Sequence, residues 1–185
     1  STMGEALGLG AMCVNAGYAD RVLTLASSHY ATAEKQFRFP LGYGNQRAQS
    51  ATWTVTGCGA VVLERGSEMK REVAVTGIIT GDLGAVGQKA LLDFMKSSGY
   101  DITGKHMDCG LEIYDRGEQD VHSGGSGCGC SAVTLCARIL PKLMRGEWSR
   151  VLFVPTGALL STVSYNEGQS IPGIAHAVIL ERMEV

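Results

Sequence analysis

An internal repeat limits the fold of this chain more than any other feature. Gly17-Tyr18-Ala19-Asp20-Arg21-Val22-Leu23-Thr24-Leu25 aligns without a gap with Gly146-Glu147-Trp148-Ser149-Arg150-Val151-Leu152-Phe153-Val154. Each copy follows a stretch rich in Ala, Leu, Met and Val. Further on, Gly59-Ala60-Val61-Val62-Leu63-Glu64-Arg65 matches His176-Ala177-Val178-Ile179-Leu180-Glu181-Arg182. Helix, strand, long loop and closing strand thus occur twice in one order, with a loop over 29–56 and a shorter one over 158–173. Generic α/β patterning accounts for one match more easily than for two in sequence, so duplication is the better explanation. A period this long points to a pseudo-symmetric pair of domains, not to a solenoid of short repeats.

The second copy opens on Gly124-Gly125-Ser126-Gly127-Cys128-Gly129-Cys130-Ser131-Ala132. Val133, Leu135, Cys136, Ile139, Leu140 and Leu143 follow at helical spacing. A glycine-rich turn feeding a buried helix start lets backbone N–H groups approach an anion or a developing negative charge. Function is expected there first.

Composition narrows the class. Apolar residues make up 45% and charged residues 18%, as in a well-buried globular protein, while 25 glycines in 185 residues are roughly twice the usual share. A net charge of −2 gives no nucleic-acid footprint. No apolar run approaches the length of a membrane span, and nothing resembles a signal peptide. The six cysteines, Cys13, Cys58, Cys109, Cys128, Cys130 and Cys136, do not make a disulfide framework. Cys13 and Cys136 read as small core residues. His106, Cys109, His122, Cys128 and Cys130 fall close together, but Cys-Gly-Cys lacks the usual spacing of paired zinc ligands. No metal or cofactor is expected, and a reducing compartment suits the thiols.

Along the chain, residues 3–16 read as a helix apolar nearly all round, hence buried. Residues 21–27 read as a parallel strand covered on both faces, residues 28–50 as a long loop, and 54–64 and 73–80 as strands. Residues 85–98 form an amphipathic helix with Ala90, Leu91, Phe94 and Met95 on its apolar side. A strand over 107–114, a helix and strand to Pro155, and a closing strand over 174–181 complete an α/β fold.

Four segments carry a family resemblance. They are Ser28-His29 with Thr32-Ala33-Glu34-Lys35-Gln36-Phe37-Arg38, Thr80-Gly81-Asp82-Leu83, the turn at 124–132, and Val154-Pro155-Thr156-Gly157-Ala158-Leu159-Leu160-Ser161 with Ile171-Pro172-Gly173-Ile174-Ala175-His176. Together they resemble the stage V sporulation protein AD family of the thiolase-like superfamily, found in spore-forming bacteria. The resemblance implies a thiolase-like fold, a duplicated α/β unit in five layers (αβαβα). Residues 1–70 would be the C-terminal part of the first half and 71–185 the second half. It also implies an incomplete chain. Ser1 would stand just after a cysteine that is the nucleophile in condensing enzymes, and a stretch would be missing near Gly77, where one strand replaces two.

Condensation on this fold needs a thiolate and two further groups, His with Asn or two His. Carried over by motif, those two positions fall at Asp82 and in Gly124-Gly125-Ser126, which offer a carboxylate and a hydroxyl. The resemblance therefore implies a non-catalytic protein binding dipicolinic acid (pyridine-2,6-dicarboxylate), free or as its calcium chelate, for uptake into the developing spore. Ser1, His29, Lys35, Arg38, Asp82, His122, Gly125, Ser126 and Cys128 are the expected ligand-binding residues. His29 and His122 would either reach the pocket or satisfy a backbone carbonyl; His176 reads as a satisfied core residue and His106 as surface. A homodimer paired through 55–63 and Trp53, stage V membrane-protein partners, and a peripheral place on the cytoplasmic face of the spore inner membrane complete the expectation. The alternative is an acyl-thioester enzyme of the ketoacyl synthase or thiolase type.

Overall fold

The computed structural model describes residues 1–36, 48–66, 77–158 and 162–183. The first repeat unit is built by helix α1 (Thr2–Asn15), strand β1 (Arg21–Ser28), helix α2 (Tyr30–Gln36), and strands β2 (Trp53–Thr54) and β3 (Gly57–Glu64). Strand β4 (Gly77–Gly81), helix α3 (Gly84–Ser97), strand β5 (His106–Asp108) and helix α4 (Cys109–Glu112) follow. Strand β6 (Gly125–Ser126) then leads into α5 (Cys128–Thr134), a π turn (Leu135–Ile139) and α6 (Leu140–Met144). Strand β7 (Arg150–Ala158), helix α7 (Thr162–Asn166), and strands β8 (Gly173–Ala175) and β9 (Val178–Glu181) close the chain.

The aligned positions of the repeat occupy matching places. β1 pairs antiparallel with β3, putting Arg21 opposite Glu64, and β7 pairs antiparallel with β9, putting Arg150 opposite Glu181. Both couples form ion pairs, at 2.9 and 3.7 Å. Gly17 and Gly146, which end the two preceding helices, share a left-handed φ of 77° and 74°. β4 runs parallel to both β5 and β7, so α3 is the crossover of a βαβ unit.

Two helices lie between the β1–β3 pair and the five-stranded sheet of β5, β4, β7, β8 and β9. A Cβ on Gly10 of α1 would sit 2.6 Å from Thr24 of β1, whereas one on Gly4 would meet Pro155 of β7 and His176. From α5, Ala132 presses its carbonyl against Gly59 of β3, and Ser131 faces Gly81 of β4. The core between them holds Met3, Leu7, Ala26, Val55, Ile79, Leu135, Ile139, Val151 and Phe153. The π turn has a covalent cause. Pro141 has no N–H to give and its ring crowds the carbonyl four residues back, so the ladder widens and the Leu140 N–H reaches Leu135 instead.

Several local expectations are corrected. β1 is antiparallel and covered on one face only, with Leu23 61% and Leu25 50% exposed. A continuous apolar run does not reveal whether one face or two will be covered. α1 likewise buries one stripe, Met3, Gly4, Leu7, Gly10 and Val14, and exposes Leu9 and Met12. The expected strand over 54–64 is two strands in different sheets, and the one over 107–114 is the short β5 followed by α4. The closing strand breaks at His176 and Ala177. α2 replaces the start of the expected loop, while Pro40, Gly42 and Gly44 lie outside the described residues. On α3, Phe94 is 68% exposed, and Leu91 and Met95 are half-buried. Cys13 and Cys136 are also only half-buried. No helix among the described residues is long and apolar enough to cross a membrane.

The packing yields a paired prediction. A Cβ on Gly59 would lie 2.2 Å from the Ala132 carbonyl oxygen, whereas one on Gly8 meets nothing within 4 Å. Gly59→Ala is expected to destabilise by about 3 kcal/mol or more, and Gly8→Ala to stabilise α1 by about 1 kcal/mol. Urea midpoints of the two variants check this, and a neutral Gly59→Ala would contradict the described contact.

Candidate functional site

The site begins at the end of β4. After Gly81 the chain turns through Asp82, whose φ of 69° is rare for a side-chain-bearing residue, and through Gly84 at 64° into α3. The turn is held by Asp108, a fully buried carboxylate that caps α4. It accepts the Thr80 hydroxyl at 2.8 Å and the backbone N–H groups of Leu83, Gly84 and Gly110 at 3.2, 3.0 and 3.1 Å. Burial raises its pKa above the ordinary carboxylate value, against the pull of these four donors. The network continues outward, with Thr80 bonded to His106 Nε2 at 2.9 Å and His106 Nδ1 to the Gln88 amide nitrogen at 3.2 Å. With Gln88 donating to Nδ1, the ring proton sits on Nε2 and points to Thr80. His106 is therefore half-buried rather than a surface residue, and burial lowers its pKa.

The glycine turn is tied to the first unit. β6 pairs in parallel with β2, matching Trp53 to Gly125 and Thr54 to Ser126, and Ser123 donates to the Ala51 carbonyl at 2.9 Å. Gly125 lacks a side chain because a Cβ there would come within 2.6 Å of Ile113 and 3.2 Å of the Tyr114 ring. Gly127, at φ 95°, turns the chain into α5. The Gly129 N–H then donates to Ser28 Oγ at 2.9 Å, and the Cys130 N–H to the Gly127 carbonyl at 3.0 Å. Two donors expected to face an anion are thus spent on the protein itself.

The heads of α1 and α5 meet beside Asp82. The Ser1 nitrogen lies 2.5 Å from the Thr156 carbonyl oxygen, and the Thr2 hydroxyl donates to Cys128 Sγ at 3.3 Å. A Cβ on Gly157 would stand 3.0 Å from Ser1 Oγ. Thr156 Oγ1 donates to the Gly81 carbonyl, tying the end of β7 to the Asp82 turn. Cys130 hydrogen-bonds Asp82, and burial with that carboxylate nearby pushes its thiol far above the ordinary range. Burial does the same to Cys109. Both thiols are neutral and therefore poor nucleophiles; Cys128 is exposed.

Of the expected residues, Ser1, Asp82 and Cys128 come together here. Gly125 and Ser126 stand behind them in the β2–β6 pair, with Ser126 Oγ accepting the Thr52 hydroxyl at 2.7 Å. His29 is exposed and serves its own helix, its Nδ1 lying 3.1 Å from Thr32 Oγ1 and 3.4 Å from the Thr32 nitrogen. His122, at φ 51°, bonds the Ala48 carbonyl at 2.7 Å and Asp120 at 2.9 Å, clasping the turn from outside. Arg38 and the side chain of Lys35 lie outside the described residues. Asp108, Cys130, Thr156 and Gly157 were not among the expected site residues. Cys130, Thr156 and Gly157 lie in segments that carry the resemblance, whereas Asp108 has as its sequence signal only a capping position two residues before Gly110. A cleft of about 360 Å³ lined by Gly77, Tyr100, Asp101 and Lys105 lies at the opposite end of β4. Among the described residues no group of His, Cys, Asp and Glu is placed to hold a metal ion.

These features define a mixed α/β protein whose repeated unit brings two central helix starts to one place. The family model for Stage V sporulation protein AD (SpoVAD) matches residues 1–78 and 74–181. Stage V sporulation protein AD of Bacillus subtilis (strain 168) is 39% identical over 224 residues, covering 98% of this chain and 66% of the relative. The chain belongs to the stage V sporulation protein AD family. It spans about two thirds of that relative's length. The two matched pieces meet at 74–78, and the alignment is longer than the chain's 185 residues, so the relative carries residues with no counterpart here. The junction falls where a missing stretch was expected.

Asp108→Ala strands three buried N–H groups and is expected to cost at least about 3 kcal/mol. The folded carboxyl binds its proton more tightly than the unfolded one. Its contribution is therefore complete below the ordinary carboxylate pKa and declines as pH rises through the raised folded value. Wild-type stability relative to Asp108→Asn should fall from about pH 4 upward. Urea titrations across that range check the sign, and a rising difference would refute it.

Proposed function

We propose that this chain is the ligand-binding part of a non-catalytic, thiolase-like protein of sporulation that holds dipicolinic acid for its uptake into the developing spore. The observation that carries this reading is the meeting of the α1 and α5 heads beside Asp82, at the junction of two repeat units, in a chain of this family. Two helices held between two sheets agree with the centre of a five-layered αβαβα fold, with residues 1–70 and 71–185 as its halves. A planar dianion requires N–H and O–H donors, and because Thr2, Gly129 and Cys130 donate within the protein, its binding has to displace some of these bonds. Micromolar affinity corresponds to about −8 kcal/mol, and three or four charge-assisted hydrogen bonds, each contributing roughly 1.5–3 kcal/mol, supply most of it.

The same geometry argues against condensation chemistry. Asp82 is bonded to the Cys130 thiol, so its carboxylate acts as an acceptor where an oxyanion needs a donor. Ser126 is turned to Thr52. Purified full-length protein is expected to show no turnover of acetyl- or malonyl-thioesters. In calorimetry it should bind dipicolinate at least about tenfold more tightly than monocarboxylic picolinate, because one carboxylate's hydrogen bonds are lost. Equal affinity for the two would sink the ligand assignment, and thioester turnover abolished by Asp82→Ala would revive the enzyme.

A homodimer and peripheral attachment to stage V membrane proteins at the cytoplasmic face of the spore inner membrane complete the reading. Leu23, Leu25 and Val62 form an exposed apolar face on the paired strands β1 and β3, which have no further partner strand among the described residues. Light scattering should give a dimer at micromolar concentration, and Leu23→Glu should shift it toward monomer. A clean wild-type monomer would contradict this part.

A further inference from the structure

His176, expected to be a satisfied core residue, is not satisfied: among the described residues its buried Nδ1 has no hydrogen-bond partner. Burying such an atom costs free energy unless something replaces the lost water, so an orphan in a folded protein calls for an explanation. Its place supplies one. The His176 N–H donates to the Pro155 carbonyl at 3.2 Å, one step beyond the Thr156–Ala175 pair. Its carbonyl and Cβ lie 3.0 and 3.1 Å from where a Cβ of Gly4 would be. The imidazole therefore leaves the β8–β9 break against the first turn of α1, next to the strand segment that holds Ser1.

The repeat matches His176 to Gly59, and at Gly59 the bare backbone meets Ala132 so closely that no side chain fits. In the second copy the glycine is on the helix, as Gly4, and the strand carries an imidazole instead. The exchange places a polar ring on the strand of one copy, and among the described residues its Nδ1 has no hydrogen-bond partner.

We propose that His176 contacts the ligand at the heads of α1 and α5, its Nδ1–H donating to a carboxylate oxygen of the bound molecule. The identity of that acceptor rests on the dipicolinate reading; the existence of the contact does not.

The test uses full-length protein with His176→Asn, whose amide nitrogen can stand near the Nδ1 position, and His176→Leu, which keeps the bulk without a polar atom. Dipicolinate affinity by calorimetry and ligand-free melting temperature are measured for each. His176→Asn should bind within about threefold of wild type and His176→Leu at least about tenfold more weakly. The leucine variant should melt at or above the wild-type temperature, since it removes an unpaired buried nitrogen. Unchanged dipicolinate affinity in His176→Leu overturns the proposal and leaves the ligand assignment standing. If wild type does not bind dipicolinate, that assignment fails and the melts decide. A lower melting temperature for His176→Leu then makes the ring structural and overturns the contact, whereas an equal or higher one sustains it.

Discussion

Backbone contact between helix and strand is the constraint on which the rest of the molecule depends. Gly59 against Ala132, Gly129 against Gly57 and Ser28, and Gly4 against Pro155 and His176 bring α1 and α5 so close to both sheets that ordinary side chains have no room. Dense packing of this kind fixes helix position to a fraction of an ångström. It also sets how near the two helix starts lie to each other, to Asp82 and to the end of β7. The candidate site is a consequence of that spacing.

A buried polar clasp keeps the third wall in register. Asp108 gathers donors from β4, the Asp82 turn and the start of α4, so that a residue with left-handed backbone is held by the elements on either side of it. Left-handed conformation at a non-glycine residue is costly and persists only where the surroundings over-determine it. The two sealed thiols, Cys109 and Cys130, belong to the same wall. Their burial and their proximity to carboxylates remove nucleophilic character from both.

The repeat was legible because it lies in local residue order: the same alignment that matched Arg21 to Arg150 and Glu64 to Glu181 also joins each pair across its sheet. Strand direction was not legible, since Val22 to Ala26 reads alike whether one face or two is covered. The break at His176 and the short β5 were hidden by apolar residues whose spacing suits a longer strand. The glycines of the 124–132 turn were legible as close approaches, but not as approaches to what: Gly125 yields to Ile113 and Tyr114, and Gly129 to Ser28. Asp108 was passed over because most of its partners come from a distant stretch, residues 80–84. Of the expected ligand residues, Ser1, Asp82 and Cys128 share one place because they end or begin elements. Of the two readings open for His122, the bond to a backbone carbonyl holds, while His106 was misjudged because its partners, Thr80 and Gln88, are distant in sequence.

The π turn has a consequence for symmetry. At their C-terminal ends the two central helices match through Gly17 and Gly146, an offset of 129 residues. At their heads, Gly4 sits on His176 as Ala132 sits on Gly59, and Ser1 sits on Gly157 as Gly129 sits on Ser28, an offset of 128. One surplus residue is absorbed between those ends, where the hydrogen-bond ladder widens ahead of Pro141. The two halves are thus in phase at one end of the helix pair and slipped by one residue at the other. Matching contacts persist at the helix heads although different residues occupy them, so a duplicated scaffold can present an asymmetric surface to a single guest.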